Sequence, residues 1–178
     1  MASIINVDKI AEATSGSGVQ IPGHIIQVQS AILTSKASTT SLYSTAYVDT
    51  GLSVSITPKY STSKVLITSS LMCGNSSTFT YFKLLRGTTE LAIGDADGSR
   101  ERCTFCFYPD GGGGNNINVN NGHTFLDSPA TTSATTYKWT WANSSSSYQS
   151  VLNSNVRDTN DAYEPRGAST ITVMEIAQ

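Results

Sequence analysis

The run Leu52-Ser53-Val54-Ser55-Ile56-Thr57 decides the fold class. Successive side chains of an extended strand point to opposite faces, so this run puts Leu52, Val54 and Ile56 on one side and Ser53, Ser55 and Thr57 on the other. A helix would scatter the same residues around its axis. Pro58, which has no backbone donor, ends the run. The same pattern continues on both sides of it. Residues 42–47 are β-prone. Residues 64–71 hold Val65, Leu66 and Ile67 together, as a strand buried on both faces would. Residues 78–85 are aromatic and alternating, and Arg86-Gly87-Thr88-Thr89 turns them into residues 90–93. Further strands are expected at 102–108, 123–126, 135–142, 148–152 and 169–176. In the last of these Ile171 and Val173 share one face while Met174 and Ile176 share the other, so burial on both sides is expected there too. Short strands separated by regular turn signals indicate an all-β sandwich or barrel. The one helix-like stretch is residues 7–14, and no internal repeat is visible.

Composition removes several classes of function. Ser and Thr supply 49 of the 178 residues, and only 13% are charged, about half the share of an average soluble domain. A net charge of −2 with scattered basic residues leaves no electrostatic footprint for nucleic acid. No stretch approaches the roughly 20 apolar residues of a membrane-spanning helix, so no membrane insertion is expected. The start of the chain lacks the basic and apolar regions of a secretory signal. The cysteines, Cys73, Cys103 and Cys106, are odd in number, as expected of free thiols in a chain made in a reducing cytoplasm. Cys103-Thr104-Phe105-Cys106 has the spacing of a redox or zinc motif. It lies in a β-like aromatic run rather than opening a helix, and His123 alone does not complete a zinc site.

Residues 1–29 differ from the rest of the chain. Short β-prone pieces are broken by Ser15-Gly16-Ser17-Gly18 and Pro22-Gly23. So small a unit cannot bury a core of its own, which points to pairing with copies of itself or with another protein. Val7, Ile10, Val19, Ile21, Ile25 and Val28 are its candidate attachment residues. The expected division is therefore an attachment or stem segment at 1–29 and a β-sandwich head at 30–178.

No catalytic constellation stands out. Asp95-Ala96-Asp97-Gly98-Ser99 resembles part of a calcium loop, but Glu101 comes too early to close one, and a polar hairpin turn is the simpler reading. Residues 111–114 are all glycine without the Lys-Ser/Thr ending of a phosphate loop. His24 and His123 are the only histidines, and no Gly-x-Ser-x-Gly elbow is present. Asp49, Asp127, Asp158, Asp161 and Glu164 are possible glycosidase acids, yet nothing singles out a pair. No metal or cofactor is expected. The expected contact surface is the set of loops at 94–101, 109–122 and 143–147, with Asp95, Asp97, Ser99, Asp110, Asn115, Asn116, Asn121, Ser145 and Tyr148 as candidates. Tyr137, Trp139, Trp141, Tyr148 and Tyr163 would stack on sugar rings if exposed. The alternation within 137–141 favours core instead.

Two stretches carry a resemblance. Val7-Asp8-Lys9-Ile10, with the run from Thr14-Ser15-Gly16-Ser17-Gly18 through Val19-Gln20-Ile21-Pro22-Gly23-His24-Ile25-Ile26-Gln27-Val28, resembles the N-terminal segment of short fibre and appendage proteins of tailed bacteriophages, especially marine and cyanobacterial ones. The rest is similar to the β-rich domain that often follows it, in Ser53-Val54-Ser55-Ile56-Thr57-Pro58-Lys59, Ser63-Lys64-Val65-Leu66-Ile67, Phe82-Lys83-Leu84-Leu85-Arg86-Gly87-Thr88, residues 126–132, Tyr137-Lys138 and residues 168–176. The resemblance implies a jelly-roll-like β-sandwich, a homotrimer and a place in the virion. Its partners would be other virion proteins, through the N-terminal segment, and a host surface glycan or protein. The role it implies is a tail fibre or receptor-binding appendage acting without catalysis. Capsid decoration or a head fibre is the alternative, and a surface-polysaccharide hydrolase the third. It implies no catalytic residues.

Overall fold

The computed structural model describes residues 21–108 and 118–178. Among these residues there is no helix, and the chain folds as two packed antiparallel sheets. The strands are β1 (Ile25–Leu33), β2 (Ala37–Thr39), β3 (Val48–Ile56), β4 (Lys64–Asn75), β5 (Thr80–Arg86), β6 (Thr89–Leu91), β7 (Phe105–Phe107), β8 (Val119–Asp127), β9 (Thr135–Asn143), β10 (Ser150–Leu152) and β11 (Ser169–Ile176). The first sheet runs β1-β11-β4-β8, with β10 and β2 continuing from the far end of β4. The second runs β3-β9-β5, and both β6 and β7 line the outer edge of β5.

The alternation at 52–57 is the packing rule of the molecule. Leu52, Val54 and Ile56 are buried, and the serines between them face solvent. They meet Phe82 and Leu84 of β5 and Tyr137, Trp139 and Trp141 of β9, and across the sandwich Val65, Ile67 and Leu71 of β4 with Ile171 and Val173 of β11. Phe105 stacks on Phe82 at 4.6 Å and meets Trp139 edge-on at 5.3 Å. These large rings fill space between the sheets and, with the aliphatic side chains around them, supply the apolar burial that holds the fold. A bulge interrupts the β3–β9 ladder between Asp49 and Ser53, where Gly51 takes a φ of +86°. The Thr50 hydroxyl donates to the Trp139 carbonyl at 2.9 Å and accepts from the Leu52 amide at 3.1 Å, which replaces the lost ladder bonds.

The sheets are also joined by buried polar groups. Asp127 at the end of β8 accepts from Arg86 of β5 at 2.8 Å and from the Tyr137 hydroxyl of β9 at 2.7 Å. Burial and the Asp127 bond push the Tyr137 hydroxyl far above the usual phenol range, so it remains a donor. Glu175 of β11 is fully buried and accepts from the amides of Lys59 and Tyr60 at 2.7 and 3.2 Å and from Gln27 Nε2 at 2.6 Å. It ties the turn after Pro58 to the first sheet.

Several sequence expectations are corrected. Residues 42–47 form a turn with a single bridge at Leu42, not a strand, because the Leu42 carbonyl is taken by the amides of Thr45 and Ala46. The strand expected at 102–108 shortens to Phe105–Phe107. In its place the Thr104 hydroxyl accepts from the Leu84 amide at 2.9 Å and donates to the Leu91 carbonyl at 3.0 Å, bridging the gap between β7 and β6. β4 and β11 are buried on one face only, and their other faces are half-buried in the single chain. A division after residue 29 would cut β1, which pairs with β11 on both sides of that point. Residues 25–29 thus belong to the first sheet, where Ala31 and Leu33 of the same strand pack on the core.

His123 of β8 points into the sandwich, edge-on to Trp139 at 5.5 Å, and its Nε2 is buried without a hydrogen-bond partner. Burial with nothing to stabilise the cation lowers its pKa below the usual 6.5. The unfolded chain then binds this proton more readily than the folded one. Stability is therefore expected to be full above about pH 6.5 and to fall as pH drops from 6.5 through the depressed folded value. His123→Phe should flatten the urea midpoint across that window. An unchanged slope would show that His123 is not its source.

Candidate functional site

The outer face of the second sheet carries an aromatic cleft of about 600 Å³. Phe79 and Tyr81 reach one side of β5 because they alternate with the buried Thr80 and Phe82. Their rings are parallel within 9° at 6.4 Å, Tyr108 lies against Phe79 at 4.5 Å, and Tyr43 meets Tyr81 edge-on at 5.5 Å. The 42–45 turn delivers Tyr43: its amide donates to the Asn143 carbonyl at 2.9 Å at the end of β9. Ser144 holds the backbone of Phe79, donating its amide to the Phe79 carbonyl at 2.9 Å and accepting the Phe79 amide at 3.2 Å.

Ser99, Arg100 and Glu101 form the opposite wall, and Cys106 completes the lining. The wall is pinned by the Arg102 guanidinium on the Gly94 carbonyl at 2.7 Å and by an Asp97–Arg100 ion pair at 2.6 Å. Behind it, Glu101 Oε1 accepts from the Tyr47 hydroxyl at 2.8 Å and lies 3.6 Å from Lys83 Nζ. Lys83 also pairs with Glu90 at 2.9 Å and sits 4.1 Å from the centre of the Tyr47 ring. Burial, with the Glu101 bond, pushes the Tyr47 hydroxyl well above the phenol range, and burial with Tyr43 nearby raises Tyr81. Both stay protonated near neutral pH. Burial likewise pushes Cys103 up to about 11 and Cys73 up to about 12, which leaves both as inert thiols.

A second surface covers the outer face of the first sheet. Register places Val28, Met174, Leu66 and Leu126 side by side across four strands. The next row is Ser30, Thr172, Thr68 and Thr124, followed by Ile32, Thr170, Ser70 and Gly122. Ile25 opposes Ile176 at one end, beside Lys64, the single charged residue of these ladder positions. Val28 and Leu126 are half exposed, and Ile32 is 64% exposed.

The sequence-predicted residues divide between these surfaces. Asp95, Asp97 and Ser99 are exposed on the 94–101 loop, and Ser99 lines the cleft. Asn121 is not a loop residue: it lies half-buried in β8, where it pairs with Leu71. Ser145 accepts from the Ser147 amide at 3.3 Å, and Tyr148 is exposed just before β10. Ile21, Ile25 and Val28 are exposed, the last two on β1 in the first sheet. Asp110, Asn115, Asn116, Val7, Ile10 and Val19 lie outside the described residues. Of the aromatics considered for sugar contact, Tyr137, Trp139 and Trp141 are core, and Tyr163 is 86% exposed away from the cleft lining. The rings that line the cleft are instead Phe79, Tyr81 and Tyr43. The signal for the first two was present in the alternation of residues 78–85.

The candidate acids have partners. Asp127 is held by Arg86 and Tyr137, and Asp49 pairs with Lys138 at 2.9 Å. Asp158, Asp161 and Glu164 gather around a cavity of about 270 Å³. There Asp158 pairs with Lys36 and Arg166 at 3.0 and 2.6 Å, and Glu164 with Arg157 at 3.2 Å. The hydrogen bonds from Lys36 and Ser154 hold Asp158 below the usual carboxylate range. Among the described residues no group of three metal-ligating side chains converges. In comparison with known proteins, no family model matches this chain and no curated protein matches it.

Proposed function

We propose that this chain is a structural subunit of a tailed-phage virion, a tail-fibre or receptor-binding appendage that acts by binding and carries out no reaction. Its place in a virion rests on the resemblance of the N-terminal segment and of the domain after it. The fold supports a jelly-roll reading. With β2, β6 and β10 set aside and the equally short β7 kept, the eight strands numbered afresh run 1-8-3-6 in one sheet and 2-7-4-5 in the other, the order produced by two interlocked Greek keys.

The observation that carries the appendage reading is the division of labour between the two outer faces. The first sheet offers an apolar, hydroxyl-rich face with one terminal lysine, which suits packing against identical subunits in a homotrimer. Burying such a face removes apolar area from water without stranding charge. The second sheet, on the far side, keeps the aromatic cleft free for a ligand. Contiguous exposed apolar faces rimmed by polar residues commonly mark interaction surfaces.

Sedimentation equilibrium tests the assembly. The full chain is expected to give three times the 18.9 kDa subunit mass. Leu66→Lys combined with Met174→Glu should give a folded monomer, because these cross-strand neighbours can pair in water but not inside an interface. A wild-type monomer, or a trimer unaffected by the double substitution, would overturn the assignment of this face. Microscopy of the particle with a bound antibody tests the location: label on the tail is expected, and label on the capsid shell would assign decoration instead.

A further inference from the structure

We propose that the cleft on the outer face of the second sheet is a saccharide site that takes an uncharged pyranose of a surface glycan. The inference deepens the reading of this chain as a binding appendage and rests on it. The cleft joins two chemistries in one concavity: aromatic rings from Tyr43, Phe79 and Tyr81 on one side, and a fixed carboxylate, Glu101, on the other. A ligand that fits both must be apolar on one face and rich in hydroxyls at its edge. A pyranose has that build. Its C–H face lies on an aromatic ring while its equatorial hydroxyls donate to an acceptor in the plane.

The polar wall is set before the ligand arrives. Tyr47 and Lys83 both engage Glu101 through Oε1, which leaves the other carboxylate oxygen as the acceptor for a ligand hydroxyl. Holding the acceptor in one position removes an ordering cost from binding. The choice of a neutral sugar follows from charge. Arg100 is matched by Asp97 and Lys83 is shared by two carboxylates, Glu90 and Glu101, so an anionic sugar would find no free counter-ion, whereas a neutral one disturbs no existing pair. An all-apolar peptide side chain would strip water from Glu101 without replacing its hydrogen bonds.

The test is saturation-transfer NMR on the full chain, with maltotriose, cellotriose and mannotriose as neutral probes and sialyllactose and chitotriose amine as charged ones. Transfer to the ring protons of at least one neutral probe is expected, with affinity falling at least tenfold in Phe79→Ala and in Tyr81→Ala. Cys106 is exposed and lines the cleft, so the bound neutral probe should also slow its alkylation by N-ethylmaleimide in the unmutated protein. No transfer to any neutral probe, stronger transfer to a charged one, or unchanged affinity in Phe79→Ala would overturn the proposal. A trimer that binds no neutral probe loses the saccharide site and keeps the assembly. A monomer that binds one loses the assembly and keeps the site.

Discussion

Asp127→Ala is expected to cost about 3–5 kcal/mol of folding stability, the range for breaking a buried ion pair from one side. Asp127 is nearly buried where β8 of the first sheet meets β5 and β9 of the second. Its carboxylate answers both the Arg86 guanidinium and the Tyr137 hydroxyl, at 2.8 and 2.7 Å. Removing it leaves a partly buried cation and a fully buried hydroxyl without their acceptor, in a domain whose total stability is on the order of 5–15 kcal/mol. Tyr137→Phe removes only one of the two bonds and keeps the ring in the core, so it should cost about 1 kcal/mol. Guanidinium unfolding of the two variants at neutral pH measures both values. If Asp127→Ala falls within about 1 kcal/mol of Tyr137→Phe, the clamp contributes less to the fold than its burial implies.

Glu175→Ala should have the second-largest effect, on the order of 3 kcal/mol. Its fully buried carboxylate is the acceptor for the amides of Lys59 and Tyr60 and for Gln27 Nε2. Alanine would leave these donors facing a void between β1, β11 and the turn after Pro58. Glu175→Gln keeps one acceptor oxygen for the two amides and should recover part of the loss. Hydrogen exchange gives a local check: the Lys59 and Tyr60 amides should exchange faster in the alanine variant and remain protected in the glutamine variant. Equal protection in all three proteins would remove Glu175 as the anchor of that turn.

How far the sequence could be read depended on the range of the signal. Residues 169–176 were legible as a strand to the residue, and residues 52–57, 135–142 and the inward set Tyr137, Trp139 and Trp141 were legible in outline, since strand periodicity is carried by neighbours in the chain. Residues 64–71 and 169–176 read as strands buried on both faces, yet one face of each is only half-buried. Their apolar content at Leu66, Met174 and Ile176 is what supports a packed outer face in the proposed assembly. Residues 42–47 misled: their β-prone side chains could not show that Leu42 would close a turn and deliver Tyr43 to the neighbouring sheet.

The candidate site was legible only in pieces. The 94–101 loop was named for its exposed polar residues, and residues 78–85 for their aromatic alternation. Nothing in the chain order joined them. The cleft needs Tyr43 from one turn, Tyr81 from β5 with Phe79 just before it, and Ser99 to Glu101 from the loop between β6 and β7. Alternating apolar and hydroxyl residues, with turn formers between them, determined by themselves the strand character of the described residues and which side chains share a face of each strand. Strand pairing and packing alone decided which apolar sides became core, which stayed on the outer face, and which distant rings came together. That difference is physical: a side chain's facing along a strand is fixed by its nearest neighbours, whereas its exposure depends on the sheet that closes over it.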